Sequence, residues 1–124
     1  MNNQALKGRI ILVVEDDPSS RLYLNKILEK AGAVILNAGD GLEAIKVTEE
    51  NTGIEIILMD IQLPVMDGYL AAQKIREMGR KIRIIAQTAY GIAGDMEEIM
   101  TMGFDDYILK PIYADQLIEK LASG

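Results

Sequence analysis

A doubly wound α/β domain, with parallel strands and helices on both faces of one sheet, is the fold class the sequence predicts, and three observations predict it. Short apolar runs rich in Ile, Leu and Val recur five times along the 124 residues. Stretches with apolar residues at helical spacing separate them. Four of the runs end at, or lead straight into, an isolated polar group: Glu15 and Asp16, Asp60, Thr88 and Lys110. Continuous rather than alternating apolar runs describe strands buried on both faces, and strands alternating with helices describe right-handed crossovers in a parallel sheet. All strand carboxyl ends then point the same way, so the isolated polar groups converge.

Residues 9–14 (Arg-Ile-Ile-Leu-Val-Val) form the first strand, which runs into Glu15-Asp16-Asp17. Asp17 before Pro18 is a helix N-cap with proline at the first helical position, and Leu24, Ile27, Leu28 and Ala31 keep helical spacing until Gly32. Residues 34–37 give a short second strand. Leu42, Ala44, Ile45 and Val47 predict a more loosely patterned second helix that stops by Gly53. Residues 54–59 are the third strand, with Asp60 at its carboxyl end. Asp67-Gly68 reads as a turn that opens a third helix, carried by Tyr69, Ala72, Gln73, Ile75 and Arg76 to near Gly79.

Residues 81–87 supply the fourth strand and lead into Thr88-Ala89-Tyr90-Gly91. A helix over 95–102 follows, in which Met96, Ile99 and Met100 fall at core spacing and Met102 is the methionine expected to face solvent. Residues 107–109 are a short fifth strand before Lys110-Pro111, and a helix over 114–121 closes the chain. Residues 1–124 read as a single domain, with 1–7 as an N-terminal tail.

Composition removes several function classes. The chain has 13 basic and 19 acidic residues and a formal net charge of −6, which opposes direct nucleic-acid binding. Cysteine is absent, so neither disulfides nor thiolate metal sites exist. Histidine is absent, which excludes a Ser-His-Asp triad, a zinc-histidine site and phosphorylation of this chain on histidine. No apolar run approaches the roughly 18 residues of a membrane span and the first residues carry no signal-peptide pattern, so no membrane contact and a cytoplasmic location are expected.

Three carboxylates about 5 Å apart in an effective dielectric of about 20 would repel pairwise by roughly 3 kcal/mol. Such a cluster calls for a cation. Hard oxygen ligands without His or Cys favour magnesium, manganese or calcium over zinc, and two or three carboxylates with retained waters suit Mg2+. A carboxylate beside such an ion, with a lysine and a hydroxyl in reach, is equipped for phosphoryl transfer and can itself form an aspartyl phosphate. Asp60, alone at the centre of the strand ends, is the candidate nucleophile. Glu15 and Asp16 read as a metal pair, and Lys110 and Thr88 as groups that bind the added phosphoryl oxygens.

As a set these residues resemble the receiver domains of two-component response regulators over nearly the whole chain. Val-Val-Glu-Asp-Asp is similar to that family's first-strand acidic motif and Met-Asp-Ile-Gln-Leu-Pro-Val-Met-Asp-Gly to its phosphoacceptor motif. Gln-Thr-Ala and Asp-Tyr-Ile-Leu-Lys-Pro resemble its switch-threonine and lysine motifs. The resemblance implies a flavodoxin-like sheet of order 2-1-3-4-5, which receivers share with flavodoxin itself. It further implies a phosphoryl group taken by Asp60 from a phosphohistidine on a histidine kinase or histidine phosphotransfer partner. Asp16 and Asp60 would bind Mg2+ (or Mn2+) directly, Glu15 through water, and the Gln62 carbonyl would be a further ligand. Thr88 would close on the phosphoryl group, Lys110 would pair with it, and Tyr107 would be the second switch residue. Lys110-Pro111 resembles the family's cis peptide, and Gln62 and Tyr90 its positions that tune phosphoryl lifetime. The segments around Asp60 and Lys110 look most like receivers attached to hybrid histidine kinases.

Taken singly, each residue has a plainer reading: Asp60 and Thr88 as caps, Lys110 as a solvated lysine, Tyr107 as a packing aromatic, Asp17 as a cap rather than a ligand. Only their joint order favours a site. Two other classes stand beside the switch: a Mg-dependent aspartyl-phosphate phosphohydrolase, and a binding scaffold without chemistry. The hydrolase pattern wants a second acid two residues after the nucleophile, where Gln62 stands; the scaffold would lack Asp60 or Lys110. Homodimerisation on phosphorylation is left open.

Overall fold

The computed structural model describes residues 4–61, 63, 66–89 and 93–123, with residues 93–96 described by backbone alone. In chain order the elements are β1 (Ile10–Val14), α1 (Pro18–Lys30), β2 (Val34–Ala38), α2 (Gly41–Glu50), β3 (Ile56–Asp60), α3 (Gly68–Arg76), β4 (Arg83–Thr88), α4 (Ala93–Thr101), β5 (Asp106–Leu109) and α5 (Ala114–Ala122). The five strands form one sheet of order β2-β1-β3-β4-β5, with every neighbouring pair parallel. The expected fold class and strand order are both present.

Strand alternation divides the core into two layers. Leu12, Ile57, Met59, Ile84 and Ala86 face α2, α3 and α4, where they meet Ala44, Ala72, Ile75 and Ile99. Ile11, Val13, Ile56, Leu58 and Ile85 face α1 and α5, where they meet Leu24, Leu28, Leu117 and Leu121. Every residue of β3 is buried, so the central strand carries Asp60 to the middle of the sheet's carboxyl edge. That is where open parallel sheets place their sites.

Helix starts follow the local chemistry the sequence announces. Asp17 accepts from Ser20 N at 2.8 Å with Pro18 at the first helical position, Asp40 accepts from Glu43 N at 2.8 Å, and Asp67 accepts from Leu70 N at 2.9 Å. Gly68 does more than open α3. A Cβ there would stand 2.6 Å from the Asp60 carbonyl oxygen and 2.8 Å from Ile61 Cα, and Gly68 N donates to Ile61 O at 2.9 Å. Only a residue without a side chain lets α3 begin against the end of β3.

Three expectations are corrected by packing. Residues 4–7 are not a free tail: Leu6 is fully buried under α1, and its N–H donates to Ala31 O at 2.9 Å. Leu42, read as part of the apolar stripe of α2, is 55% exposed, and the helix buries Gly41, Ala44 and Thr48 instead. Small residues are needed there because α2 lies close to α3: a Cβ on Gly41 would stand 2.4 Å from Met66 O. Two methionines are exchanged, for Met100 is 46% exposed while Met102 packs on the core. The helix α4 ends at Thr101, so Met102 follows the turn inward rather than continuing the helical face. The Met96 side chain lies outside the described residues.

Candidate functional site

Glu15, Asp16 and Asp60 meet at the carboxyl edge, each offering a carboxylate oxygen within 4.8 Å of the others. At that spacing and an effective dielectric of about 20, each ionised pair repels by roughly 3 kcal/mol. Glu15 is 2% exposed and Asp60 7%, whereas Asp16 is open to solvent. The Glu15 backbone is held by Glu15 N donating to Ala38 O at 3.0 Å and by Arg21 Nη2 donating to Glu15 O at 2.8 Å. Its side chain accepts from Asp17 N at 3.1 Å through Oε2, while Oε1 is buried with no hydrogen-bond partner.

Lys110, carried past β5 and followed by a cis bond to Pro111, reaches back into the cluster. Its Nζ lies 2.9 Å from Asp60 Oδ2 and 3.9 Å from Glu15 Oε1. The titration behaviour follows from this crowding. Burial pushes the Glu15 carboxyl up, with the Asp60 and Asp16 charges acting in the same direction against the Asp17 N–H and Lys110. Burial on its own would lower Lys110, but the hydrogen bond to Asp60 and the charges of Asp60, Glu15 and Asp16 outweigh it, and its ammonium is held above the ordinary lysine value. One lysine serves three carboxylates.

A cavity of about 590 Å³ opens beside the Asp60 and Lys110 end of this cluster, lined by these two and Thr88 together with Leu63, Asp67 and Gln87. Thr88 and Ala89 enter it from the end of β4. The donor set fits a hard divalent cation: oxygen only, excess negative charge, one buried carboxylate oxygen without a hydrogen-bond partner, and no His or Cys in the chain.

The structure thus brings Glu15, Asp16, Asp60, Thr88 and Lys110 to one edge. Tyr107 is elsewhere: it pairs with Ala86 across the sheet, packs on the α2/α3/α4 side, and holds its ring 5.6 Å from Lys120 Nζ. Gln62 and Tyr90 lie outside the described residues. Two residues at the site, Gln87 and Asp67, carry no functional expectation from the sequence. A glutamine interrupting the apolar run of β4 is a readable signal for the first; the second is visible only as a turn residue.

Solved structures show the same arrangement of elements. The receiver domain of the Pseudomonas aeruginosa sensor histidine kinase PA1611, determined with a magnesium ion coordinated in its active-site cleft, is 35% identical with a TM-score of 0.83, and covers 94% of this chain and 99% of that one. The receiver domain of Saccharomyces cerevisiae Ssk1, crystallised with the histidine phosphotransfer protein Ypd1, is 30% identical with a TM-score of 0.86, over 92% of this chain and 86% of that one. Among curated relatives, the sensor histidine kinase RcsC of Salmonella typhi is 35% identical over 113 residues, which are 91% of this chain but 12% of that kinase's length. The chain is therefore similar to receiver segments of hybrid histidine kinases and spans only a small part of such proteins. Residues 11–122 match the response regulator receiver domain, and the chain belongs to that family.

Proposed function

We propose that this receiver domain is a phospho-accepting switch, in which Asp60 takes a phosphoryl group from a phosphohistidine on a histidine kinase or histidine phosphotransfer partner. One observation carries the reading: the Lys110 ammonium 2.9 Å from an Asp60 oxygen, inside a cluster of three carboxylates at the carboxyl edge. The Ssk1 receiver's association with Ypd1 and the magnesium in the PA1611 receiver support it by analogy.

In the transfer, an Asp60 carboxylate oxygen forms the new O–P bond as the P–N bond to the donor imidazole breaks, and the released nitrogen regains a proton from water. The chemistry a bound magnesium, or manganese in its place, supplies is neutralisation of the transferring phosphoryl oxygens. Asp16 and Asp60 would hold it directly and Glu15 through water, with the Gln62 carbonyl completing the set by family analogy. Lys110 stabilises the charge that reaches the phosphoryl oxygens, and Thr88, at the cavity wall, donates its hydroxyl to one of them. Tyr107 is the second switch residue on the side of the sheet that Thr88 shares with α4. The domain acts in the cytoplasm as part of a longer hybrid kinase or beside one. Sedimentation of phosphorylated against unphosphorylated protein tests for dimerisation, a larger phosphorylated species being its sign.

Acetyl phosphate with magnesium should add one acid-labile phosphoryl group, seen by intact-mass spectrometry, and none to Asp60→Asn. Uptake by Asp60→Asn at the wild-type rate would overturn the assignment. Sustained hydrolysis of phosphate esters over many turnovers would replace the switch with a phosphohydrolase.

A further inference from the structure

Gln87 is 1% exposed, and neither its Oε1 nor its Nε2 has a hydrogen-bond partner. It follows Ile84-Ile85-Ala86 in β4, where an apolar residue of similar size would be far easier to bury. A buried carboxamide left in this state needs a reason, and its neighbours supply one.

Gln87 is the register partner of Asp60 on β3. Asp60 follows Met59, the partner of Val14, and is therefore level with Glu15, the residue after β1. The three side chains share the face that carries Val13, Leu58 and Ile85 two residues earlier. On the other side Gln87 pairs with Ile108, and Lys110 lies two residues on with the same parity. Glu15 just past β1, Asp60 on β3 and Gln87 on β4 thus stand level in one polar row, and Lys110, just past β5, lies beyond its end on the same face. Gln87 and Lys110 also line two cavities together, the one over Asp60 and another of about 330 Å³ toward Tyr23 and Pro111.

Lys110 has three N–H donors, one of them engaged on Asp60 Oδ2. We propose that Gln87 is a positioning residue for phosphoryl transfer, its Oε1 accepting a hydrogen bond from the Lys110 ammonium as Asp60 becomes esterified; this rests on the phosphoacceptor reading of Asp60. While Asp60 is a bare carboxylate it holds the lysine by charge. Once it is an acyl phosphate, the negative charge has moved outward onto the phosphoryl oxygens, and the ammonium must leave the Asp60 oxygen and be held where it meets them. A second carboxylate at position 87 would pull the lysine away, and an apolar residue would release it toward Glu15. A neutral acceptor steadies it without competing for it.

The test compares wild type, Gln87→Met, Lys110→Met and the double variant, with magnesium and acetyl phosphate, by intact-mass labelling rate and by denaturant midpoint. Gln87→Met should unfold at the wild-type midpoint or above it, yet label about tenfold more slowly, the lower range for one hydrogen bond to a charged group. The double variant should label at the rate of Lys110→Met alone. Labelling of Gln87→Met at the wild-type rate, an equal slowing in both lysine backgrounds, or a midpoint lowered by Gln87→Met would each overturn the proposal. A wild-type protein that takes no label would remove the phosphoacceptor reading itself, which separates that failure from this one.

Discussion

The two ends of the sheet handle charge differently. At the amino end opposite charges are matched: Arg9 Nε, buried without a hydrogen bond, still has the Glu55 carboxylate 3.2 Å away, and Asp106 is held by Lys120 Nζ at 3.1 Å and Arg83 Nη2 at 3.5 Å. Arg80 donates to Asn51 O at 2.8 Å, and Arg76 donates to Gly103 O at 2.9 Å and pairs with Asp105. At the carboxyl end three carboxylates share one lysine, and Glu15 Oε1 and the Gln87 carboxamide are buried without hydrogen-bond partners. The amino end is arranged for the folded protein as it stands. The carboxyl end leaves negative charge in excess, with Lys110 as the cation placed among the three carboxylates in the described residues.

Four perturbations test that contrast. The largest effect belongs to Gly68→Ala, which forces a Cβ to within 2.6 Å of the Asp60 carbonyl oxygen. It should cost about 1–3 kcal/mol in denaturant unfolding, the range for overpacking, and weaken magnesium binding by displacing the end of β3. Asp106→Ala, at the matched end, should destabilise by about 1 kcal/mol at most, with or without magnesium, since its partners are partly solvated.

Asp16→Asn, at the unmatched end, should act with the opposite sign. Without metal the variant should be as stable as wild type or slightly more so, because one repulsive charge has gone. Magnesium, which should raise the wild-type unfolding midpoint through binding to the folded state, should raise that of the variant much less. A wild-type midpoint unmoved by magnesium would show that the cluster is not waiting for a cation.

The smallest effect is a dependence on pH. Glu15 is pushed up by burial and by its acidic neighbours, so the folded state favours its protonated form. Its contribution is present below the ordinary glutamate value of about 4.3 and is lost as pH rises through the higher folded value. Metal-free wild type should therefore lose stability between acid and neutral pH relative to Glu15→Gln. Lys110 is raised as well, so its contribution persists to alkaline pH and is lost only above the ordinary lysine value of about 10.4. Unfolding midpoints of wild type, Glu15→Gln and Lys110→Met across pH should resolve the two windows.

Much of the fold and site is legible in the residues alone. The apolar runs before Glu15, Asp60 and Lys110 mark strands, and Asp17-Pro18 marks the start of α1 as it stands in the structure. Less is legible where burial depends on a neighbour from elsewhere in the chain. Leu6 reads as part of a tail because its pocket is formed by α1, and Leu42 reads as core although α2 buries its small residues against α3. Met100 and Met102 cannot be sorted without knowing where α4 ends.

The succession of strands and helices, and the polar groups that close the strands, are written locally, because apolar periodicity, caps and breakers act within a few residues. Which of those groups stand level is settled only on folding. Pairing between strands distant in sequence sets Gln87 beside Asp60, and α3 can start against β3 only through Gly68. Register and close approach are properties of two chain segments at once, so no single segment encodes them.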